Sequence, residues 1–272
     1  MTTQQQIIAV LGTQSYIDPA FEIEERVDFQ ATYMAKTSAE CLILGVSGGV
    51  DSTTAARLAQ LAVERLRAQG RAAKFIAVRL PYHSQVDEAD AQAALDFIKP
   101  DEVITISIGP MVDSMFAALY PEHVEGEPLT AKQDFDKGNI KARARMIAQY
   151  ALAGKHNGLV IGTDHGAEAV MGFYTKHGDG ACDITPLAGL NKRQVRLCAE
   201  MLGAPDSLVN KVPTAGLEDN DPLKADEAAH GVTYVAIDDF LEGRVIDEKA
   251  HAAIIAQYDK TEHKRQMPYG PK

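Results

Sequence analysis

Residues Cys41–Thr54, with the sequence CLILGVSGGVDSTT, decide the fold of this chain. The apolar run at 41–46 has the length of a buried strand, and the Ser-Gly-Gly turn at 47–49 interrupts it. Apolar residues then recur at helical spacing from Leu58 to Leu66. The stretch therefore predicts a strand, a tight glycine turn and a helix, an arrangement that points backbone N–H groups and a helix N-terminus at one spot suited to phosphate.

The residue types within the turn suit a nucleotide phosphate. Gly48 and Gly49 permit positive φ angles and a close approach of the ligand to the backbone. Ser47 and Ser52 add hydroxyl donors. Asp51 would repel a phosphate on its own, and we interpret it as the holder of a divalent cation between its carboxylate and the phosphates.

The turn differs from two common nucleotide-binding motifs. No lysine follows the second glycine, as G-x-x-x-x-G-K-[ST] requires, and the spacing of G-x-G-x-x-G is absent. The string SGGVDS at 47–52 instead resembles the pyrophosphate loop of the N-type ATP pyrophosphatases. That resemblance implies an enzyme that binds ATP, transfers AMP to an oxygen of its substrate and releases pyrophosphate. A strand–turn–helix unit with an ordinary serine or aspartate cap is the alternative interpretation of this stretch alone.

Composition limits the class of protein. The chain has 272 residues, 46% of them hydrophobic and 24% charged, which predicts one large α/β domain over 1–272. A formal net charge of −11 argues against a nucleic-acid binder, which needs a basic surface. No apolar run approaches about 18 residues, so we expect no membrane span. Three cysteines without a C-x-x-C pair, and no signal peptide, predict a reducing, cytoplasmic location.

Strand and helix patterns alternate along the chain. Two helical patterns, at 2–14 and from Pro19 onward, precede the first strand. Further strands are expected at 74–80, 103–108 and 159–162, and further helices at 86–98, from 110 and at 138–153. This alternation predicts parallel βαβ units and a doubly wound parallel sheet flanked by helices. Such sheets bind ligands at the carboxyl ends of their strands, and Ser47 and Thr163 each follow a strand.

The second half of the chain is chemically dense. Glycines and charges of both signs crowd 163–193, which favours a site, although a solvated loop would also account for the charges. Residues 203–225 are rich in proline and weakly periodic, and they predict a long loop or a lid. A helical hairpin is predicted at 237–241 and 250–258, followed by a basic cluster.

A series of short strings identifies the family that the chain resembles. In order they are SGGVDS at 47–52, KGNIKAR at 137–143, GTDHGAE at 162–168, FYTKHGDG at 173–180, LNKRQ at 190–194, KVPTAGLED at 211–219 and TEHK at 261–264. Together they resemble ammonia-dependent NAD synthetase over most of the chain. The resemblance implies an adenine nucleotide alpha hydrolase-like, Rossmann-like fold. It also implies the last step of NAD biosynthesis, in which deamido-NAD, ATP and ammonia give NAD, AMP and pyrophosphate through an acyl adenylate.

The resemblance assigns roles to individual positions. Asp51 and Glu168 match the two Mg²⁺ ligands of the family, and Asp51 and Lys192 are the expected catalytic residues. The positions that match ATP contacts are Gly45, Val46, Ser47, Gly48, Gly49, Val50, Asp51, Ser52, Thr163, Lys192 and Thr214. The positions that match contacts to deamido-NAD are Arg143, Lys176, Asp183, His263 and Lys264. The chain departs from the family where Val50 replaces a common glutamine and where Tyr174 and Cys182 replace commoner phenylalanine and small residues.

The chemistry is consistent with these roles. A carboxylate must be activated before ammonia attacks it, and adenylation of the nicotinate carboxylate supplies that activation. Mg²⁺ would aid the departure of pyrophosphate, and Lys192 would stabilise charge on the α-phosphoryl group. The protein mainly positions the reactants, and no side chain needs to act as a covalent nucleophile. A homodimer with active sites at its interface is implied by the resemblance alone.

Several alternatives stay open at this point. Glu168 could be an ordinary first-turn helix acid, Arg143 and Lys176 could be solvated charges, and Cys182 a small filler. His165 reads as a hydrogen-bonded loop residue rather than a metal ligand. A tRNA-thiolating relative should show basic patches and paired cysteines, and a glutamine-fed synthetase needs a glutaminase domain for which 272 residues leave no room. A nucleotide sensor on the same fold would have no use for charged residues around one cleft.

Overall fold

The computed structural model describes residues 2–83, 88–124, 126–222, 224–268 and 270. Their centre is a four-stranded parallel sheet in the order β3-β2-β1-β4. The strands are β1 Cys41–Gly45, β2 Lys74–Arg79, β3 Glu102–Thr105 and β4 Gly158–Val160. Leu42 of β1 lies between Phe75 of β2 and Leu159 of β4. The doubly wound parallel sheet predicted from the sequence is therefore confirmed.

Helices surround the sheet on both faces. In chain order they are α1 Gln4–Leu11, α2 Pro19–Thr37, α3 Val50–Ala68, α4 Glu88–Ile98, α5 Gly109–Leu119, α6 Ala131–His156, α7 Gly166–Met171, α8 Lys192–Met201, α9 Asp206–Val209, α10 Asp226–His230, α11 Tyr234–Leu241, α12 Glu248–Lys260 and α13 Glu262–Arg265. Across the described ranges, none of these helices is both long enough and apolar enough to cross a membrane.

Alternate residues of β1 pack on opposite faces of the sheet. Leu42 and Leu44 lie in a hydrophobic cluster with α2, α3 and α8. Cys41 and Ile43 lie in a second cluster with α5 and α6. Because both faces are covered, the strand reads as an uninterrupted apolar run rather than as an alternating one. A third cluster joins α1, α7, α11 and α12 beside the sheet.

Some element boundaries differ from those predicted, and the reasons are local. α6 begins at Ala131 rather than at 138, because Thr130 and Gln133 form a capping box ahead of it. α7 and α8 were not predicted, and each begins at a side-chain cap, His165 and Asn191 respectively. α9 interrupts the loop expected at 203–225. The expected start of α4 at residue 86 lies outside the described residues.

Candidate active site

The strand order reverses beside β1, and this is where the cleft lies. β2 and β3 extend the sheet on one side of β1, whereas β4 pairs with its other side. Ser47 follows β1 and Thr163 follows β4, and both line one cleft of about 720 Å³. The cleft thus occupies the place that the strand ends predicted for ligand binding.

The turn after β1 is built so that the N-terminus of α3 faces the cleft. Gly48 has a φ of +85°, and a Cβ at this position would lie 2.7 Å from the backbone nitrogen of Ala91, so a larger residue does not fit. Ser52 Oγ donates to the Gly49 carbonyl at 3.1 Å and lies 3.2 Å from Ser47 Oγ. Among the residues that the structure describes, no side chain caps α3. Its free N–H groups and positive dipole end therefore suit a phosphate.

Four polar side chains form the centre of the cleft. Lys192 Nζ donates to Asp51 Oδ2 at 2.6 Å. His165 Nε2 lies 3.4 Å from Asp51 Oδ1 and 3.8 Å from Glu168 Oε2. Lys192 is the first residue of α8 and Glu168 lies in the first turn of α7, so two helix starts bring these residues to the beginning of α3.

The charges of this cluster depend on one another. Burial would raise the pKa of Asp51, but the charge of Lys192 and the contact with His165 hold it well below its usual range. Burial and the negative charge of Asp51 raise the pKa of Glu168. Burial lowers the pKa of His165 and keeps its ring neutral near pH 7. The two carboxylates therefore repel each other unless a cation joins them.

The donor set fits a hard divalent cation. Asp51, His165 and Glu168 each offer one atom within 4.8 Å of the others. Asp51 Oδ1 is buried, and His165 Nε2, which lies 3.4 Å away, makes no hydrogen bond of good geometry to it. Carboxylate oxygens are the ligands that Mg²⁺ prefers. His165 Nδ1 accepts the Glu168 N–H at 3.4 Å, so its proton is assigned to Nε2, which makes the ring a donor rather than a ligand.

The other residues expected to contact ATP gather around this cluster. Thr163 and Thr214 both line the cleft, and Gly48 packs the turn against α4. The remaining lining positions of this set are Gly45, Val46, Ser47, Gly49, Val50, Asp51, Ser52 and Lys192.

Residues 211–222, which we call the lid, lie over the cleft and are held by charges on α6. The Asp134 carboxylate accepts the Asp219 N–H at 2.6 Å. The Asp219 carboxylate pairs with Lys137 at 2.8 Å and with Lys141. Lys137 and Lys141 lie one helical turn apart on α6 and face the same carboxylate.

Four residues expected to contact deamido-NAD form a connected group beside the cleft. Arg143 donates to the Lys176 carbonyl at 3.4 Å, and Lys176 Nζ donates to the His263 carbonyl at 2.6 Å. Lys264 Nζ donates to the Tyr174 carbonyl at 2.7 Å. These contacts join α6, α13 and the loop at 172–182.

Asp183, the fifth residue expected to contact deamido-NAD, is hydrogen-bonded to β4 instead of joining this group. Its Oδ2 accepts the Val160 N–H at 2.7 Å, so this carboxylate stabilises the end of β4.

Sequence reasoning did not single out an acidic pair beside the cleft. Burial and the charge of Asp179 raise the pKa of Asp164 to about 8. Asp179 accepts the Thr175 N–H at 2.9 Å and lines the cleft. Burial lowers the pKa of Lys264, and the charge of this lysine opposes the increase in the pKa of both carboxyl groups, as Arg145 also does at Asp179. The strings GTDH and HGDG contain these acids, but neither the residue types nor their spacing distinguished them from loop charges.

Asp226, which lines the cleft, and Tyr234, which is buried beside Lys192, were missed because no motif contains them. Asp226 begins α10 and lines the cleft, and Tyr234 begins α11 and is buried. Their proximity to Lys192 arises from the folding of segments more than 30 residues apart. A single sequence carries no signal for such a contact.

Comparison with known proteins gives a consistent result. The family model described as NAD synthase matches residues 22–268. The chain is 55% identical to the NH(3)-dependent NAD(+) synthetase of Streptomyces coelicolor over 98% of this chain and 97% of the relative. The structure of an NAD+ synthetase from Burkholderia pseudomallei superposes with a TM-score of 0.83 at 51% identity, covering 97% of this chain and 96% of the other. An NMN synthetase from Francisella tularensis superposes with a TM-score of 0.80 at 34% identity, covering 94% and 99%.

Proposed function

The chain belongs to the NAD synthase family, and we propose that its cleft carries out the family's reaction in two steps. That reaction is the ATP-dependent amidation of deamido-NAD to NAD with ammonia, so the protein is a ligase that forms a carbon–nitrogen bond. The first proposed step is adenylation of the nicotinate carboxylate, and the second is attack by ammonia on the acyl adenylate. The observation that carries the proposal is the Lys192–Asp51 pair, which lies beside Glu168 where the glycine turn opens.

In the first step the ATP phosphates lie on the turn after β1 and the N-terminus of α3. Lys192 faces the α-phosphoryl group and stabilises the charge that develops there as pyrophosphate leaves. Asp51 and Glu168 would hold Mg²⁺, which would neutralise charge on the departing pyrophosphate. The lid covers the cleft and keeps water from the acyl adenylate.

In the second step ammonium must lose a proton before it attacks. We propose that Asp164 and Asp179 bind ammonium beside the acyl group. Burial and the charge of Asp179 raise the pKa of Asp164, and the positive charge of a bound ammonium would favour its ionised form, so that this carboxylate could then accept the ammonium proton. Lys264, held by backbone carbonyls of the same loop, limits the repulsion between the two acids.

Pyrophosphate release tests this function. Release should require ATP, Mg²⁺ and deamido-NAD, and NAD should form only when ammonia is added. Glutamine in place of ammonia should give no NAD. Nicotinic acid mononucleotide belongs in the same assay, because an NMN synthetase superposes well on this chain. Pyrophosphate release with ATP alone, or turnover of the mononucleotide at a rate equal to that of deamido-NAD, would contradict the proposal.

Lys176 is expected to act in the selection of deamido-NAD rather than of ATP. Lys176→Ala should raise the KM for deamido-NAD about tenfold, because a charge-assisted hydrogen bond to the dinucleotide is lost. The KM for ATP should stay near the wild-type value, because the ATP phosphates lie on the turn after β1. Lys249→Ala, which removes an exposed lysine from α12, is the matched control in steady-state kinetics. Equal increases in both KM values would count against this role.

The lid is expected to open when no ligand is bound. Its contacts with α6 are mainly charged groups that water can replace, so limited proteolysis should cut between 206 and 224 in the free protein. Mg²⁺–ATP with deamido-NAD should suppress those cuts and leave cleavage near the N-terminus unchanged. Asp219→Asn, which weakens the contact with Lys137 and Lys141, should increase cutting in the free protein. Equal cutting with and without ligands would indicate a static loop.

We also propose a homodimer that completes its sites across the interface. α5 exposes Met111, Met115 and Leu119 at helical spacing, an apolar stripe that a second copy would bury. Arg143, on the neighbouring helix α6, would then reach the dinucleotide of the partner.

Mixing two inactive variants tests this shared site. An Asp51→Asn chain combined with an Arg143→Ala chain should recover about one quarter of wild-type activity, because half of the randomly formed dimers are hybrids and each hybrid has one intact site. Each variant mixed with itself is the control. A monomer in sedimentation, or no recovery from verified hybrids, would instead favour a role for Arg143 within its own chain, where it contacts the Lys176 carbonyl.

The remaining expectations rest on the family. We propose that 1–272 acts as one domain in the cytoplasm, where ATP is available. Cys41, Cys182 and Cys198 are free thiols, a state that a reducing compartment maintains.

A further inference from the structure

One carboxylate oxygen of Asp226 forms no hydrogen bond of normal geometry in the described part of the structure. The residue is buried with 6% of its surface exposed, and it lines the same cleft as Lys192 and Glu168. Its Oδ2 accepts a hydrogen bond from the Tyr234 hydroxyl at 3.1 Å. Its Oδ1 is buried and accepts no hydrogen bond of normal geometry within the described ranges, while the nearby backbone of Ala215 helps to lower the pKa of this carboxyl group. A buried acceptor without a partner is costly, so a group that meets this oxygen in another state of the enzyme would explain its retention.

Lys192 is a cation of the same cleft whose charge acts on Asp226. Its Nζ lies 4.9 Å above the ring of Tyr234, the residue whose hydroxyl orients Asp226. Burial raises the pKa of Asp226, and the charge of Lys192 acts against that increase. Burial lowers the pKa of Lys192, whereas Asp51, Glu168 and Asp226 raise it. Lys192 over the Tyr234 ring and Asp226 at the Tyr234 hydroxyl are therefore electrostatic neighbours on one side chain.

Lys192 needs a second partner because Asp51 has two roles that conflict. Lys192 Nζ lies 2.6 Å from Asp51 Oδ2, where its charge would oppose a divalent cation on the same carboxylate. Lys192 is only 1% exposed, so once separated from Asp51 it needs another buried counter-charge.

We propose that Asp226 is the second carboxylate partner of Lys192, which moves from Asp51 toward Asp226 when Mg²⁺–ATP binds. This inference rests on the proposed function, since it assumes Mg²⁺ at Asp51 and Glu168. Lys192 then stays over the Tyr234 ring in a position to contact the α-phosphoryl group. Asp226 acts through Lys192 and is a positioning residue.

The same contact fixes the base of the lid. The Asp226 N–H donates to the Pro213 carbonyl at 3.1 Å, and Thr214 pairs with Ala225 in an antiparallel bridge. Asp226 and Thr214 therefore belong to one hydrogen-bonded unit. The second partner of Lys192 is in place only when the base of the lid is closed, so closure and the release of Asp51 to the metal occur together.

Equilibrium binding of ATP over a range of Mg²⁺ concentrations, without deamido-NAD, tests the inference. Asp226→Asn keeps an acceptor for Tyr234 but removes the charge, so Lys192 stays on Asp51 and competes with the metal. The Mg²⁺ concentration that gives half-maximal ATP binding should rise about tenfold. Loss of a residue that acts on a metal ligand without binding the metal commonly has an effect of this size. In steady-state kinetics kcat should fall while the KM for deamido-NAD stays near its wild-type value.

Glu227→Gln is the matched control. Glu227 is the next residue along α10, is exposed, and accepts the Tyr234 N–H at 2.6 Å through an oxygen that glutamine retains. This variant should bind Mg²⁺–ATP like the wild type. Asp226→Glu, which restores a carboxylate, should return most of the Mg²⁺ dependence and thus separate the role of charge from loss of stability. Tyr234→Phe keeps the ring but frees Asp226, and it should give a smaller increase.

Each outcome decides the question. An unchanged Mg²⁺ requirement in Asp226→Asn would overturn the inference, and so would an equal increase in Glu227→Gln or a failure of Asp226→Glu to restore binding. If the wild-type enzyme bound Mg²⁺–ATP but did not amidate deamido-NAD, the proposed function would fail, while the comparison of Mg²⁺ requirements would still be readable.

Discussion

Asp51→Asn is expected to lower the rate of NAD formation by about 1,000-fold, the largest effect that we expect from one substitution in this chain. The asparagine still accepts a hydrogen bond from Lys192, but it offers a metal ion one weak oxygen instead of a charged pair. Loss of the metal charge should affect the departure of pyrophosphate directly. Turnover, Mg²⁺ titration of ATP binding and thermal unfolding, measured on the same preparation, separate loss of chemistry from loss of fold.

Asp96→Asn is the control for this change. Asp96 is an exposed residue of α4 that accepts a hydrogen bond from Gln92, and asparagine can accept the same bond. The Asp96→Asn variant should form NAD at the wild-type rate. Near-normal turnover of Asp51→Asn at ordinary Mg²⁺ concentrations would remove Asp51 from the metal site.

The fold could be predicted because its main signals are local. The apolar run at 41–46 followed by two glycines specifies a strand, a turn and a helix without reference to distant residues. The same reasoning failed for the start of α6, where the stretch before 138 is polar and only the Thr130 cap signals a helix. α7 has six residues and no room for a hydrophobic period, so its cap at His165 was the only available signal.

Only part of the candidate site could be predicted, because several of its residues lie far apart in the sequence. Ser47 and Thr163 could be placed in one crevice because each follows a strand end. The position of Lys192 against Asp51 came from the family resemblance, since 141 residues separate them and no periodicity relates them. Asp226 and Tyr234 follow no strand end and belong to no string that carries the family resemblance. Tyr234 contacts Lys192 because α11 packs against α8, and Asp226 hydrogen-bonds to Tyr234.

The string KGNIKAR at 137–143 was recognised from the family resemblance, and the structure gives a physical role to its two lysines. Its two lysines, Lys137 and Lys141, lie four residues apart, which places them on one face of α6. Both reach the carboxylate of Asp219 in the lid. The weak periodicity of the lid fits a segment without regular structure, but its anchoring to α6 depends on side chains that pair across 78 residues.

Lys192→Met is expected to reduce kcat by about 100-fold or more while the KM for ATP changes little. Methionine fills nearly the same volume above the Tyr234 ring, so packing is largely kept, but no charge remains to face the α-phosphoryl group. The loss should lie in the adenylation step, which single-turnover measurement of pyrophosphate isolates from the attack by ammonia. Lys192→Arg should retain part of the rate, since its charge persists in a different geometry. Lys155→Met, at the opposite end of the sheet, is the control. Adenylation at the wild-type rate in Lys192→Met would show that the positive charge of Lys192 balances Asp51 in the folded protein and takes no part in the reaction.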